Sequence, residues 1–141
     1  MRRGLDPEDL GDLFDLPLTA TLATYQRDGQ VRLSAVWHEW RDGGFDIVIG
    51  TDGVMARHLA QDPRASITVH ESAPPWRGIE IRAVARFVDD DPRAADHRMA
   101  SRYLDPEQAA GFATADRGDQ VVVRLEPGEI RAWDFIDDPL A

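Results

Sequence analysis

The sequence predicts a mainly β protein with short helices, and three observations carry that prediction. Apolar and β-branched runs recur at close spacing, at about Leu18–Tyr25, Val31–Trp40, Phe45–Gly50, Ala65–His70, Gly78–Val88, Val121–Leu125 and Glu129–Phe135. Turn signals punctuate them, among them Asp28-Gly29, Arg41-Asp42-Gly43-Gly44 and Pro127-Gly128. Helical patterning is confined to brief segments. Short, hairpin-linked, turn-rich strands favour an antiparallel barrel over a doubly wound sheet.

The elements follow in order. Leu10, Leu13, Phe14 and Leu16 suggest a short N-terminal helix that Pro17 closes. The first three strands come next, followed by an amphipathic helix over roughly Gly53–Gln61, which Asp62-Pro63 ends. After two more strands, Asp89-Asp90-Asp91-Pro92 offers capping carboxylates and a first-turn proline for a helix running to about Leu104. Pro106 opens a second short helix, and the last two strands are expected on either side of Pro127-Gly128. No internal repeat or low-complexity linker interrupts the chain, so one domain is expected over residues 1–141. A chain of this length buries roughly two-thirds of its unfolded surface.

Composition narrows the chemistry. Hydrophobic content of 43% fits a globular chain, and no apolar run approaches a membrane span. Met1-Arg2-Arg3-Gly4-Leu5-Asp6-Pro7 lacks an apolar signal core, so a cytoplasmic location is expected. There are no cysteines, which excludes disulfides, thiolate catalysis and cysteine-ligated metals. The net charge of −10 disfavours nucleic acid and anionic membranes as partners. All 16 basic residues are arginine, so no lysine is present to form a Schiff base. Any bound anion must be held by arginine, serine, threonine or backbone N–H groups. Arginine suits that task, because its planar fork binds phosphate in bidentate fashion. Neither a glycine-rich dinucleotide turn nor a P-loop is present. His38, His58, His70 and His97 show no metal-like pairing on one local element, and a haem would need one of them as axial ligand. The acidic run Asp89–Asp91 reads as a capped, solvated turn.

The most informative stretch is Val31–Val69, where two strands flank a tight turn, a short helix follows, and a third strand begins. A strand running into a helix N-terminus is a common anion cradle, since the first backbone N–H groups are unpaired and the dipole end is positive. Leu18–Thr24, Ser34-Ala35-Val36-Trp37, Arg57-His58-Leu59-Ala60-Gln61-Asp62-Pro63-Arg64, Pro74-Pro75-Trp76-Arg77 and Arg131-Ala132-Trp133 stand in a characteristic order. In that order and spacing the chain resembles the flavin/deazaflavin oxidoreductases, split β-barrels related to pyridoxamine 5′-phosphate oxidase. It is most similar to the actinobacterial branch that uses coenzyme F-420.

The resemblance implies a homodimeric split β-barrel binding a flavin-type cofactor in two symmetric grooves at the subunit interface. The cofactor implied is F-420, with FMN as the alternative, and the activity is reduction of a small conjugated organic substrate. It assigns no catalytic acid or base. Carried onto this sequence, it places Arg32, Ser34 and Val36 on the second strand against the cofactor, with Gly50 and Thr51 beside its ring system and Arg57 near its phosphate. Glycine at position 50 allows close approach of main chain to a ligand. Trp76 and Arg77 are expected as a pocket wall, supplied by the neighbouring subunit. One position departs from the pattern: Met55 stands where the family usually has a lysine facing the phosphate, after a loop, Thr51–Val54, that is shorter than usual. Methionine donates nothing to phosphate, so the arginines must hold the cofactor alone, or the cofactor is changed or lost. An FMN-dependent oxidase or reductase, a non-catalytic binding protein and a cofactor-free barrel remain alternatives.

Overall fold

A computed structural model describes residues 1–139. Eight strands form one curled antiparallel sheet: β1 (Arg2–Arg3), β2 (Ala20–Tyr25), β3 (Val31–Val36), β4 (Glu39–Arg41), β5 (Gly44–Gly50), β6 (Arg64–His70), β7 (Gly78–Val88) and β8 (Gln120–Asp134). Helix α1 (Val54–Gln61) leaves β5, and α2 (Pro92–Ala100) and α3 (Pro106–Thr114) lie between β7 and β8. The strand order is β3-β2-β6-β7-β8-β5-β4, with β1 paired to the far end of β8. The sheet curls into a half-barrel whose inner face carries the core: Leu22, Ile47, Ile67, Ile79, Ile81, Val123 and Leu125 are all fully buried. Ala56 and Leu59 of α1 join this core. Among the described residues, no helix is long and apolar enough to cross a membrane.

Period-two alternation accounts for the strands. In β2, Ala20, Leu22 and Thr24 point inward while Thr21, Ala23 and Tyr25 point outward, and β6 repeats the pattern. The helices begin where their capping chemistry dictates. Asp91 accepts from the backbone N–H groups of Arg93 and Ala94 ahead of Pro92, and Asp105 forms a capping box with Gln108 ahead of Pro106.

Four elements differ from expectation. The N-terminal helix is two 3-10 turns, Pro7–Leu10 and Leu13–Asp15, because Gly11 adopts a left-handed φ of 61° between them. Leu10 and Leu13 are nevertheless fully buried. The run Val31–Trp40 is two strands on opposite edges of the sheet, since β3 pairs with β2 whereas β4 pairs with β5. The break falls at Trp37-His38: the Trp37 ring stacks on Tyr103 at 4.6 Å, and His38 Nε2 lies 2.9 Å from the Leu18 carbonyl. The last two strands are one. Pro127 sits opposite Ala83 at an irregularity in the β7–β8 ladder, and a Cβ on Gly128 would stand 3.0 Å from the Arg82 carbonyl, so this pair marks a bulge rather than a turn. Finally, α2 stops at Ala100, where Arg102 donates to the carbonyls of Phe14 and His38 and the Tyr103 hydroxyl donates to Leu18.

Candidate functional site

The open side of the half-barrel lies between β3 and β5, where α1, α2 and α3 gather. β3 is an edge strand, and its inward positions are set by register: Arg32 stands beside Thr24, Ser34 beside Leu22 and Val36 beside Ala20. Thr24 is fully buried, and its hydroxyl meets His58 Nδ1 at 3.1 Å, which seats α1 against β2. Arg32, Ser34 and Val36 therefore share one face of β3. His58 itself is a packing residue of that joint.

Val36 and Met55 border a common groove of about 470 Å³, together with Trp37, Val48, Met99 and Phe112. Its lining is largely apolar and aromatic. Trp37 is held between Tyr103 and Phe112, the latter with ring centres 4.9 Å away. Met55 also packs against the main core, as a flexible apolar gap-filler would. The Ser34 hydroxyl is buried with no hydrogen-bond partner among the described residues. A buried, unsatisfied hydroxyl is costly, so it identifies a place where a ligand atom would be welcomed.

The β5–α1 corner stands next to this groove, which Val48 and Met55 line. Gly53 caps α1 with no side-chain bond to the exposed first-turn N–H groups. The Gly53 N–H donates to the Gly50 carbonyl, and Arg57 Nη1 donates to the Asp52 carbonyl at 3.3 Å. Arg57 is exposed and has no carboxylate partner among the described residues, and the same holds for Arg32. A Cβ on Gly50 would meet nothing closer than the Asp119 carbonyl at 3.9 Å, so no protein contact demands glycine there. Thr51 is tied to that same carbonyl by its backbone N–H at 3.0 Å.

Trp76 and Arg77 are placed differently from the rest. Arg77 donates to both oxygens of Glu71, to Asp12 at 2.6 Å and to the Leu10 carbonyl at 2.8 Å. These bonds hold its pKa above the usual guanidinium value, with Glu71 contributing most. The guanidinium thus joins the N-terminal turns to the β6–β7 connection within this subunit. Trp76, at a left-handed φ of 51°, lines a separate cavity of about 560 Å³ with His70, Trp133 and Phe135.

The groove also contains residues that sequence reading missed. Arg117, on the α3–β8 connection, lies 3.9 Å over the Phe112 ring and donates to Asp96 at 2.5 Å. Asp96 is buried on α2. No periodicity or motif distinguishes Ala115-Asp116-Arg117-Gly118-Asp119, and only the docking of α3 on Trp37 brings it to the site.

Solved structures share this architecture. The conserved hypothetical protein Rv2991 from Mycobacterium tuberculosis is 27% identical, with 93% of this chain and 86% of that one covered at a TM-score of 0.74. An F420 reductase is 24% identical, covering 84% and 93% at a TM-score of 0.70. HutZ, the haem storage protein from Vibrio cholerae, is 21% identical, covering 91% and 94% at 0.67. No curated protein matches the sequence. Residues 7–134, from the first N-terminal turn to the end of β8, match the pyridoxamine 5′-phosphate oxidase family, and the chain belongs to that split-barrel family.

Proposed function

We propose that the protein is an oxidoreductase that uses a flavin-type cofactor, reduced coenzyme F-420 by preference, to reduce a small conjugated organic substrate. The observation that carries this reading is the apolar groove at the open edge of the barrel, lined by Val36, Trp37, Val48, Met55, Met99 and Phe112, with the unpartnered Ser34 hydroxyl two positions before Val36 on β3. The residues fit such a group. Trp37, Val48, Met99 and Phe112 offer the apolar walls a planar ring requires. Ser34 offers a hydroxyl, and Gly50 leaves room for close approach of main chain. Arg32, Arg57 and the uncapped N-terminus of α1 offer further donors at the neighbouring β3–α1 corner.

When bound, the reduced cofactor supplies the hydride. The chain orients the ring, keeps water from one face of it and balances its charge. No side chain is assigned as acid or base.

The working unit in this proposal is a homodimer. The outward face of β3, β2, β6 and β7 carries Val31, Leu33, Ala23, Tyr25 and Val84 beside Arg64, Arg82 and Glu80, and Leu33 is 69% exposed. A second copy would cover that face.

Equilibrium titration with F-420, FMN, FAD and haem in parallel tests the cofactor. The expected result is saturable quenching of the deazaflavin fluorescence, with tightest binding to F-420, followed by oxidation of reduced F-420 in the presence of a quinone or redox dye. Preferential FMN binding, giving a yellow protein, would move the assignment to an FMN-dependent enzyme. Absence of binding to any flavin or deazaflavin at high micromolar ligand would end the oxidoreductase reading.

A further inference from the structure

A second cavity, about 430 Å³, adjoins the apolar groove and shares one residue with it, Arg117. Its polar lining comes from Thr51, Arg93, Arg117, Asp119 and Gln120. We propose that this cavity is an anion subsite for the phosphate-bearing arm of the ring ligand, with Arg93 supplying the positive charge that Met55 does not and Arg117, whose charge Asp96 balances, offering its remaining guanidinium N–H groups as donors. The assignment of the arm to the ligand rests on reading the apolar groove as the ring site.

Three observations support it. The first concerns arginine pairing. In a chain of net charge −10, most arginines are held by carboxylates. Arg93 has no carboxylate partner for its side chain among the described residues, and its guanidinium makes a long 3.4 Å contact from Nη1 to the Thr114 carbonyl. An exposed, unpaired guanidinium in so acidic a protein costs nothing to leave in water, yet this one borders a concave surface beside a second arginine.

The second is the positioning of Arg117. Asp96 anchors one end of its guanidinium at 2.5 Å, and the Phe112 ring supports its face at 3.9 Å. Its side chain is only 31% exposed. An arginine fixed on two sides loses little rotamer freedom when an anion arrives. Its place between the two cavities suits the junction of a planar ring and a charged arm.

The third is chain connectivity. Thr51 belongs to the corner between β5 and α1, yet it lines this cavity rather than the apolar groove. The N-terminal amides of α2 take no part, because Asp91 already accepts from Arg93 and Ala94. Binding would therefore fall to side chains. Asp119 opposes it from the rim, which makes the subsite tunable by a single carboxylate.

The chemistry recognised is a phosphoryl group, which both FMN and the phosphodiester arm of F-420 present. Ring fluorescence titrations should compare each with its phosphate-free counterpart, riboflavin and the tail-less deazaflavin. The phosphorylated forms are expected to bind about tenfold more tightly, the size of one charge-assisted contact. Arg93→Gln should remove most of that preference and leave the affinity of the tail-less rings unchanged. Asp119→Asn should strengthen it, and added salt should weaken it. Arg93 is exposed, so its variant is expected to fold even if Arg117→Gln, which strands the buried Asp96, does not.

Inorganic pyrophosphate reads the subsite without the ring. A rise in melting temperature with pyrophosphate that disappears in Arg93→Gln would support the anion site even if no ring compound bound, and only the ring reading would then fail. Equal affinity for phosphorylated and phosphate-free rings, with no pyrophosphate effect, would overturn the subsite and leave the ring groove standing.

Discussion

His38 is the side chain through which pH reaches this fold. It is fully buried, its Nε2–H donates to the Leu18 carbonyl, and its Nδ1 has no partner among the described residues. Burial and then the nearby Arg102 charge pull its pKa down to about 4 from the ordinary 6.5. The unfolded chain therefore binds a proton more readily than the folded one. The neutral ring contributes its full stability above pH 6.5, and that contribution is lost as pH falls toward 4. A shift of this size corresponds to roughly 3 kcal/mol. Urea melts are expected to show unfolding free energy falling through that window, and His38→Gln to flatten the slope. Equal slopes in the two proteins would assign the pH response elsewhere. Asp12, Asp62, Asp134 and Glu126 are held below the usual carboxylate range, mainly by arginine hydrogen bonds, so their losses come at lower pH. None of this was visible in the sequence, where His38 was one of four unremarkable histidines.

Between elements, the joints matter more than the elements themselves. Arg77 ties the 3-10 turns of the N-terminus to the β6–β7 connection through Asp12, the Leu10 carbonyl and the buried Glu71. Arg77→Ala is expected to cost about 2–3 kcal/mol, below the figure for a wholly buried pair because Asp12 and part of the arginine remain in water. Chemical denaturation checks this, and flavin or deazaflavin affinity should change little at a temperature where both proteins are folded. Weaker binding with unaltered stability would return Arg77 to the ligand site. Strand and helix types were legible because alternation, caps and turn residues are local signals. The split of Val31–Trp40 and the fusion across Pro127-Gly128 were not, since each depends on which distant strand supplies the next partner. A proline and a glycine together read as a turn, and only the facing β7 strand makes them a bulge.

At the scale of the whole molecule, the outer face of β3, β2, β6 and β7 sets the expected assembly. Val31, Leu33 and Val84 are 50%, 69% and 54% exposed on a face where Tyr25 and Arg64 form a cation–π pair. Isologous two-fold contact is the commonest way to cover such a surface. Light scattering of the wild type at micromolar concentration is expected to report twice the chain mass of 15.8 kDa. Leu33→Arg should shift it toward monomer and weaken cofactor binding roughly tenfold or more, because a groove completed by a neighbour loses its second wall. A wild type that is monomeric yet binds fully would refute the dimer.

The sequence by itself determined the family, the strand-rich architecture and the starts of α1, α2 and α3. Those features follow from residues close together in the chain, where periodicity, capping and turn chemistry act. Only the tertiary structure decided which arginines are free. Arg77 is engaged by Asp12 and Glu71, Arg2 by Asp134 and Arg117 by Asp96, whereas Arg32, Arg57 and Arg93 have no carboxylate partner among the described residues. An ion pair forms between side chains that folding brings together, often across most of the chain, and charge alone does not say which partner each arginine will meet.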